Sequence, residues 1–307
     1  MTTSDAALTH GQHRTSPVNH TPAAVDHFLI TRFNLPTAGV ERRVRERGGW
    51  LTTRVDLFER YCLPSVRAQS SQNFRWLVYL DPDSPAWLLA RLAPHIQDRV
   101  FEPVFRAEVT PASIVEDIHS RVGTPATHLL TTNLDNDDGL ATDFVERLQR
   151  IDPGAHRAAL YLSTGLILGP EGLFLRVDKL NAFCSVRETW DDPVTCWADW
   201  HTRLPRTMPA VAVSGPPAWL QVVHDSNVSN RVRGRLVAGR EYAARFPTLP
   251  TDLPQPTRSD RRRDRLVSGP ARLLREFSRA AAKNTLLLLV GKGGIDRLKV
   301  WRNRAAD

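Results

Sequence analysis

The sequence predicts an α/β fold, a mainly parallel sheet flanked by helices, with a basic helical C-terminal tail. Three observations carry that expectation. Short extended apolar runs alternate with stretches of helical periodicity, as in successive strand and helix units. The 307 residues are 41% hydrophobic and 24% charged, enough to bury a sizeable core. Acidic residues gather where a strand should end, the place where open α/β sheets keep their ligands.

In chain order, His27 to Thr31 (HFLIT) reads as the first strand. Leu51, Val55, Phe58, Cys62 and Val66 then recur at helical spacing, with Pro64 expected to kink the helix. Arg75 to Leu80 (RWLVYL) is the second strand and Arg99 to Phe105 the third. Ser113 to Val122 is a short helix with Ile114, Ile118 and Val122 inward, and Thr127 to Thr132 is the fourth strand. A helix from about Asp143 presents Phe144, Leu148 and Ile151. Arg157 to Leu168 holds two extended runs interrupted near Gly165, and Trp219 to Val223 is a late strand.

Composition divides the chain into four parts. Residues 1–25 are polar, lack the apolar core of a secretory signal and are expected to be disordered. Residues 26–240 form the main domain. Residues 241–265, with prolines at 247, 250, 254 and 256 and the basic run Arg258 to Arg265, have linker composition. Residues 266–307 read as a basic amphipathic helical segment, suited either to an anionic membrane interface or to docking on the main domain. The longest apolar run, Leu286 to Val290, is far short of the roughly 20 residues a spanning helix needs.

The net charge of +8 is not spread evenly. Residues 258–307 hold 14 Lys/Arg against 5 Asp/Glu, leaving 27 basic and 28 acidic residues before them. Attraction to phosphate backbones or anionic lipid would therefore act at the C-terminus, and no nucleic acid is expected at the main domain's site. Cys62, Cys184 and Cys196 are an odd number without a C-x-x-C pair, so neither a disulfide framework nor a thiolate zinc site is expected, and a reducing cytoplasmic setting fits.

The chemistry concentrates in Thr127 to Leu140, THLLTTNLDNDDGL. In an extended backbone Asp135 and Asp137 point one way and Asp138 the other. Hard carboxylate oxygens suit Mg²⁺ or Mn²⁺, which can bridge to phosphate oxygens and neutralise a departing diphosphate. The same letters also make a favourable turn, because Asn and Asp bond their own backbone and Gly tolerates positive φ. A calcium-binding EF-hand loop is disfavoured, since Gly139 occupies the third acidic position and no closing Glu follows in register.

Ser65 to Ser84, SVRAQSSQNFRWLVYLDPDS, runs from a helix end through an Asn-Phe turn and an apolar strand to Asp-x-Asp-Ser. It resembles the inverting nucleotide-sugar glycosyltransferases of the glycosyltransferase A-type, Rossmann-like fold. The resemblance assigns Asp81 and Asp83 to the donor's nucleoside, although Pro82 replaces the second Asp of the usual Asp-Asp-Gly-Ser. From HFLITRFN through L-D-N-D-D-G to WLQVVHDSNVSN, about two thirds of the chain resembles the putative rhamnosyltransferase family. That likeness implies the A-type fold for 26–240, a nucleotide-sugar donor such as dTDP-rhamnose, and a saccharide or glycolipid acceptor of the cell envelope. It implies that Thr31 and Arg32 line the nucleotide pocket and that Asn136 and Asp138 face substrate. A histidine following the late strand, His224, would join Asp135 and Asp137 as metal ligand, with Asp225 beside it. His201, in WADWHTRL, would meet acceptor sugar or close a core edge. The general base that inversion requires would be Asp191 or Asp192, with Asp199 as competitor. Peripheral contact with an anionic inner membrane face through the tail completes this reading. The alternatives are an idle scaffold with a nucleic-acid or surface-binding tail, and a nucleotidyltransferase or phosphohydrolase using the same carboxylates.

Overall fold

A computed structural model describes residues 25–36, 49–154, 156–224 and 231–272, together with 274 and 278. The expectations for the N-terminal tail, for Asp225 and for most of the C-terminal helical segment lie outside these residues.

The strands are β1 (Val25–Arg32), β2 (Arg75–Leu80), β3 (Glu102–Phe105), β4 (His128–Asn133), β5 (Gly139–Leu140), β6 (Ala158–Leu162), β7 (Thr164–Gly169), β8 (Gly172–Val177), β9 (Ser185–Glu188), β10 (Ala210–Val213), β11 (Trp219–Val222) and β12 (Arg235–Val237). The main sheet has the order β10-β6-β9-β4-β1-β2-β3. Its β4, β1, β2 and β3 run parallel, as do β10 and β6, while β9 is antiparallel to both its neighbours. A mostly parallel central sheet flanked by helices is therefore present, as the sequence predicted. A second sheet, β12-β8-β7-β11-β5, stands beside it.

Both faces of the main sheet are covered, which is why its strands read as unbroken apolar runs. On one face Leu29, Trp76, Val78, Leu80 and Leu130 pack with Val55, Phe58, Cys62, Leu88, Leu92, Phe144 and Leu148. On the other, Phe28, Ile30, Leu77, Tyr79 and Leu129 pack with Ile114, Ile118, Cys196, Leu204 and Met208. The α-helices flanking this sheet are α1 (Trp50–Leu57), α2 (Leu63–Arg67), α3 (Ala86–Gln97), α4 (Pro111–His119) and α5 (Phe144–Gln149), while Cys196, Leu204 and Met208 come from the segment between β9 and β10. All three cysteines are buried and free.

Several elements differ from expectation for visible reasons. The helix after β1 is continuous, but a π-helical stretch, Phe58–Cys62, joins α1 to α2. Pro64 has no N–H for the carbonyl four residues back and crowds it, so the strain appears as a widened turn ahead of the proline. The third strand starts at Glu102 because Arg99, at φ 55, closes α3, with the N–H of Val100 returning to His95 O at 3.0 Å. The break expected at Gly165 falls at Ser163, where the chain leaves one sheet for the other. Gly165 itself lies under the Trp219 indole, and a Cβ there would come within 2.0 Å of that ring.

The expected linker at 241–265 is packed. Phe246 and Leu249 are buried with Tyr61, Leu168 and Leu220, and Thr142 N bonds Arg245 O at 3.0 Å. Pro247 lies in a turn and the Pro250 carbonyl accepts the N–H of Leu253 at 3.3 Å, while the buried Asp264 carboxylate accepts the N–H of Leu236 at 2.8 Å and Arg272 at 2.6 Å. Local composition reads as a linker because prolines also serve packed turns. Among the described residues no helix is long and apolar enough to cross a membrane.

Candidate active site at the carboxyl ends of the parallel strands

β4 ends in the main sheet at Asn133 and β5 begins in the second sheet at Gly139, so the carboxylate turn is the crossing between the sheets. The N–H of Leu134 bonds Ile30 O at 3.1 Å, tying this turn to the carboxyl end of β1. Asp135 reaches solvent, whereas Asn136, Asp137 and Asp138 are buried.

Each residue of the turn has a distinct environment. His224 Nε2 lies 2.9 Å from Asp137 Oδ2. Burial opposes charge on Asp137, but the His224 hydrogen bond and the Arg54 guanidinium outweigh it and hold the carboxyl below its ordinary range. Asp135 sits in a concave surround, and burial together with Asp137 pushes it up to about 6 against the pull of Asn133, Arg54 and Arg32. Asp138 is fully buried; burial and the two neighbouring carboxylates push it well above the usual range. Its Oδ1 accepts the N–H of Val222 at 2.8 Å. Asp138 therefore positions β11 and does not face substrate, a correction that follows from the strand geometry that turned it inward.

Arg54 was missed in the sequence. Its Nη1 donates to Asn136 Oδ1 at 2.6 Å and to Phe33 O at 3.1 Å, and its guanidinium lies 4.5 Å from the Trp50 ring centre. The signal was legible, because Arg54 falls three residues after Leu51 and four before Phe58, on the helix's inward stripe. This clamp engages the Oδ1 of Asn136 and gives the residue a positioning role, while its buried Nδ2 has no hydrogen-bond partner among the described residues.

Thr31 departs from expectation too. It is fully buried and its Oγ1 accepts the Trp76 indole N–H at 2.8 Å, which serves the core and not a nucleotide pocket. Arg32, the next residue, points the other way and is exposed, 4.3 Å above the Trp197 ring. Asp81 follows the last residue of β2; its Oδ1 accepts Asp83 N at 2.9 Å and its own N–H bonds Asn34 Oδ1 at 3.0 Å. Asp83 is exposed.

Topology separates the proposed bases. Leu129, at the start of β4, pairs with Glu188, so the end of β9 lies six residues, about 20 Å, from Asp135 along the strand direction. Asp191 and Asp192 follow at that far end, where Arg157 binds the Asp192 carbonyl and the Glu188 carboxylate. The structure therefore does not bring Asp191 or Asp192 together with Asp135. The chain then climbs back: Thr195 N bonds Glu188 at 2.9 Å, Cys196 N bonds Thr131 Oγ1 at 2.8 Å, and Trp197 Nε1 bonds Asn133 Oδ1 at 2.7 Å. Asp199 and His201 thus arrive at the carboxyl end of β4. His201 is half-buried, its carbonyl accepts Tyr161 Oη at 2.6 Å, and burial lowers its imidazole against the pull of Asp178.

A cleft of about 420 Å³ is lined by His224 together with Leu57, Arg60, Tyr61, Pro250 and Asp252 among others. Among the described residues no three His, Cys, Asp or Glu side chains are disposed to hold a metal by themselves. Asp135 and Asp137 fit instead a hard divalent cation of the kind that takes one or two carboxylates and completes its shell with water and phosphate oxygens.

A family model described as putative rhamnosyl transferase matches residues 26–236. The chain belongs to that family. No curated protein matches this rhamnosyl transferase family member by sequence. Among solved structures, S. aureus TarS aligns with a TM-score of 0.38 at 11% identity, over 64% of this chain and 37% of that one. TarS 1-349 in complex with UDP gives 0.41 at 9% identity, over 64% and 60%. The inositol-1-phosphate CTP transferase of T. maritima gives 0.36 at 10% identity, over 67% and 93%. This family member therefore spans less than two thirds of the TarS chains it resembles.

Proposed function

We propose that the protein is an inverting glycosyltransferase that moves a sugar from a nucleoside diphosphate donor, with dTDP-rhamnose as first candidate, to a hydroxyl of a cell-envelope saccharide or glycolipid. The observation that carries this reading is the pair Asp135 and Asp137 at the carboxyl end of β4, with His224 on Asp137 at 2.9 Å. The family description supports rhamnose as the sugar.

In this reading the acceptor oxygen forms a bond to the anomeric carbon as the bond from that carbon to the diphosphate oxygen breaks. The bonding pair leaves with the diphosphate, and the acceptor's proton passes to a carboxylate. Asp199 is our candidate for that base, supported by its position beyond the Trp197–Asn133 bond. Arg32 and Arg54 contribute positive charge near the leaving group, and Arg54 also holds the turn through Asn136. A divalent cation on Asp135 and Asp137 would supply further charge opposite the diphosphate. Asp81 is retained as the nucleoside contact.

The test is a thermal-shift panel of nucleoside diphosphates and nucleotide sugars with and without Mn²⁺, followed by product analysis. Cation-dependent stabilisation and release of a nucleoside diphosphate are expected. Release of pyrophosphate would instead assign the site to nucleotidyl transfer, and absence of any nucleotide binding would overturn the reading.

A further inference from the structure

The excursion from Trp190 to Pro209 carries a feature the chemistry above leaves unused. Its ascending limb is fixed by Thr195, Cys196 and Trp197, with the Trp197 ring 5.4 Å from Tyr79. Its descending limb is anchored by Leu204 and Met208, both buried against the sheet. At the apex, the carbonyl of Trp200 accepts the N–H groups of Arg203 at 2.7 Å and Leu204 at 3.2 Å, while Tyr161 holds the neighbouring carbonyl. On this fixed perch the Trp200 side chain is left 67% exposed. The indole is thereby held out by a hydrogen-bonded turn next to Asp199 and His201, side chains that can bond a partner's polar atoms while the ring meets its apolar face.

The groups around it narrow the partner's chemistry. Asp199 Oδ1 accepts the N–H of Trp200 at 2.7 Å and stands 3.9 Å from Arg203, and the Asp199 side chain is 36% exposed. His201 lies edge-on, its ring centre 6.3 Å from that of Trp200. An aromatic face carries negative charge density that attracts polarised C–H bonds, and the planar hydrogen-bonding groups at its edge suit hydroxyls. A pyranose has both: a C–H face and a rim of hydroxyls. A lipid chain would need an extended apolar trough, whereas the cleft lined by His224 does not include Trp200.

We propose that Trp200 is the acceptor platform, on which a saccharide ring lies with its C–H face against the indole and its hydroxyls toward Asp199 and His201. This rests on the glycosyltransferase reading and specifies it: the group that receives the transferred sugar belongs to a carbohydrate ring.

Two measurements test it on the full chain. The first compares the wild type with Trp200→Ala and Trp200→Phe in transfer assays. A rise in acceptor KM of about tenfold in the alanine variant, largely restored by phenylalanine, with donor KM unchanged, is expected. An unchanged acceptor KM would overturn the platform, as would a variant that alters only sedimentation behaviour, which would assign the indole to self-association. The second titrates methyl glycosides of rhamnose, glucose, galactose and N-acetylglucosamine against tryptophan fluorescence, without donor. A saturable change present in the wild type and absent in Trp200→Phe supports the platform even if no nucleotide sugar is consumed, in which case the transferase reading alone fails. No difference between the two proteins would sink the platform while leaving donor turnover to be judged separately.

Discussion

His224 Nε2 and Asp137 Oδ2 stand 2.9 Å apart, so the residue that leaves the end of β11 is bonded to the turn that leaves β4. This one contact spans the two sheets at the point where donor chemistry is proposed. Hydrogen bonds to charged groups contribute about 1.5–3 kcal/mol, so His224→Gln should reduce kcat/KM for donor by about 10- to 100-fold. Steady-state kinetics across donor concentrations would show it, and a value near wild type would remove His224 from the site.

Burial and, after it, repulsion from Asp137 push Asp135 up to about 6. A folded pKa raised above the ordinary 3.8 adds stability at low pH that is lost as pH rises through about 6. Asp135→Asn should therefore raise the melting temperature of the ligand-free protein above pH 6, by about 2–4 °C per kcal/mol relieved, while abolishing donor turnover. In the wild type, cation-dependent nucleotide affinity should strengthen as pH climbs through about 6. A pH-independent affinity between 5 and 7 would contradict the assignment.

Asp191 and Asp192 lie at the end of the sheet far from Asp135, and Asp199 follows the limb bonded to Asn133. The double variant Asp191→Asn with Asp192→Asn should keep transfer within about twofold of wild type, as exposed substitutions generally do. Asp199→Asn should lose about 10²- to 10⁴-fold in kcat, the range for a general base. The reverse ranking in initial-rate assays would show that the acceptor enters elsewhere.

His27, on β1, is buried, its Nε2 2.9 Å from Thr132 Oγ1 of β4, which is in turn 2.7 Å from Ser185 Oγ. Burial lowers this imidazole from the ordinary 6.5 to about 3. A depressed folded pKa means stability present above pH 6.5 and lost as pH falls toward 3, at about 1.4 kcal/mol per unit. Denaturant midpoints of wild type and His27→Gln, measured from pH 7.5 to 4.5, should converge on acidification, and parallel curves would argue against a neutral buried histidine.

Gly165 leaves room for the Trp219 indole, which stacks on Phe183 with ring centres 5.1 Å apart. Gly165→Ala should cost about 1–3 kcal/mol or more, since overpacked cores pay at least that and a ring cannot yield as a flexible chain end does. Urea unfolding would measure it. Activity per folded molecule should be kept, because the contact lies in the core behind the site.

Much of the molecule was legible in its letters. The strands β1, β2 and β4 and the helices around Val55, Ile114 and Phe144 announce themselves by apolar period, which is a local property of residues i, i+2 or i+3 and i+4. The carboxylates of the 135–138 turn were legible for the same reason: their spacing and the strand before them are consecutive in the chain. Helix α3 was not read, since Pro85 and Pro94 obscure a stripe reduced to Leu88 and Leu92.

By itself the sequence determined the α/β class, the order of the parallel strands' apolar runs and the acidic turn at the end of β4, because each depends on neighbours along the backbone. Tertiary structure alone decided which carboxylates meet. Asp191 and Asp199 are eight residues apart, yet the antiparallel β9 carries the first to one end of the sheet, and the return limb through Trp197 lifts the second to the other. It likewise turned Thr31 and Asp138 inward and brought Arg54 onto Asn136 across 82 positions. Those choices rest on strand direction and on hydrogen bonds between distant segments, which no local pattern encodes.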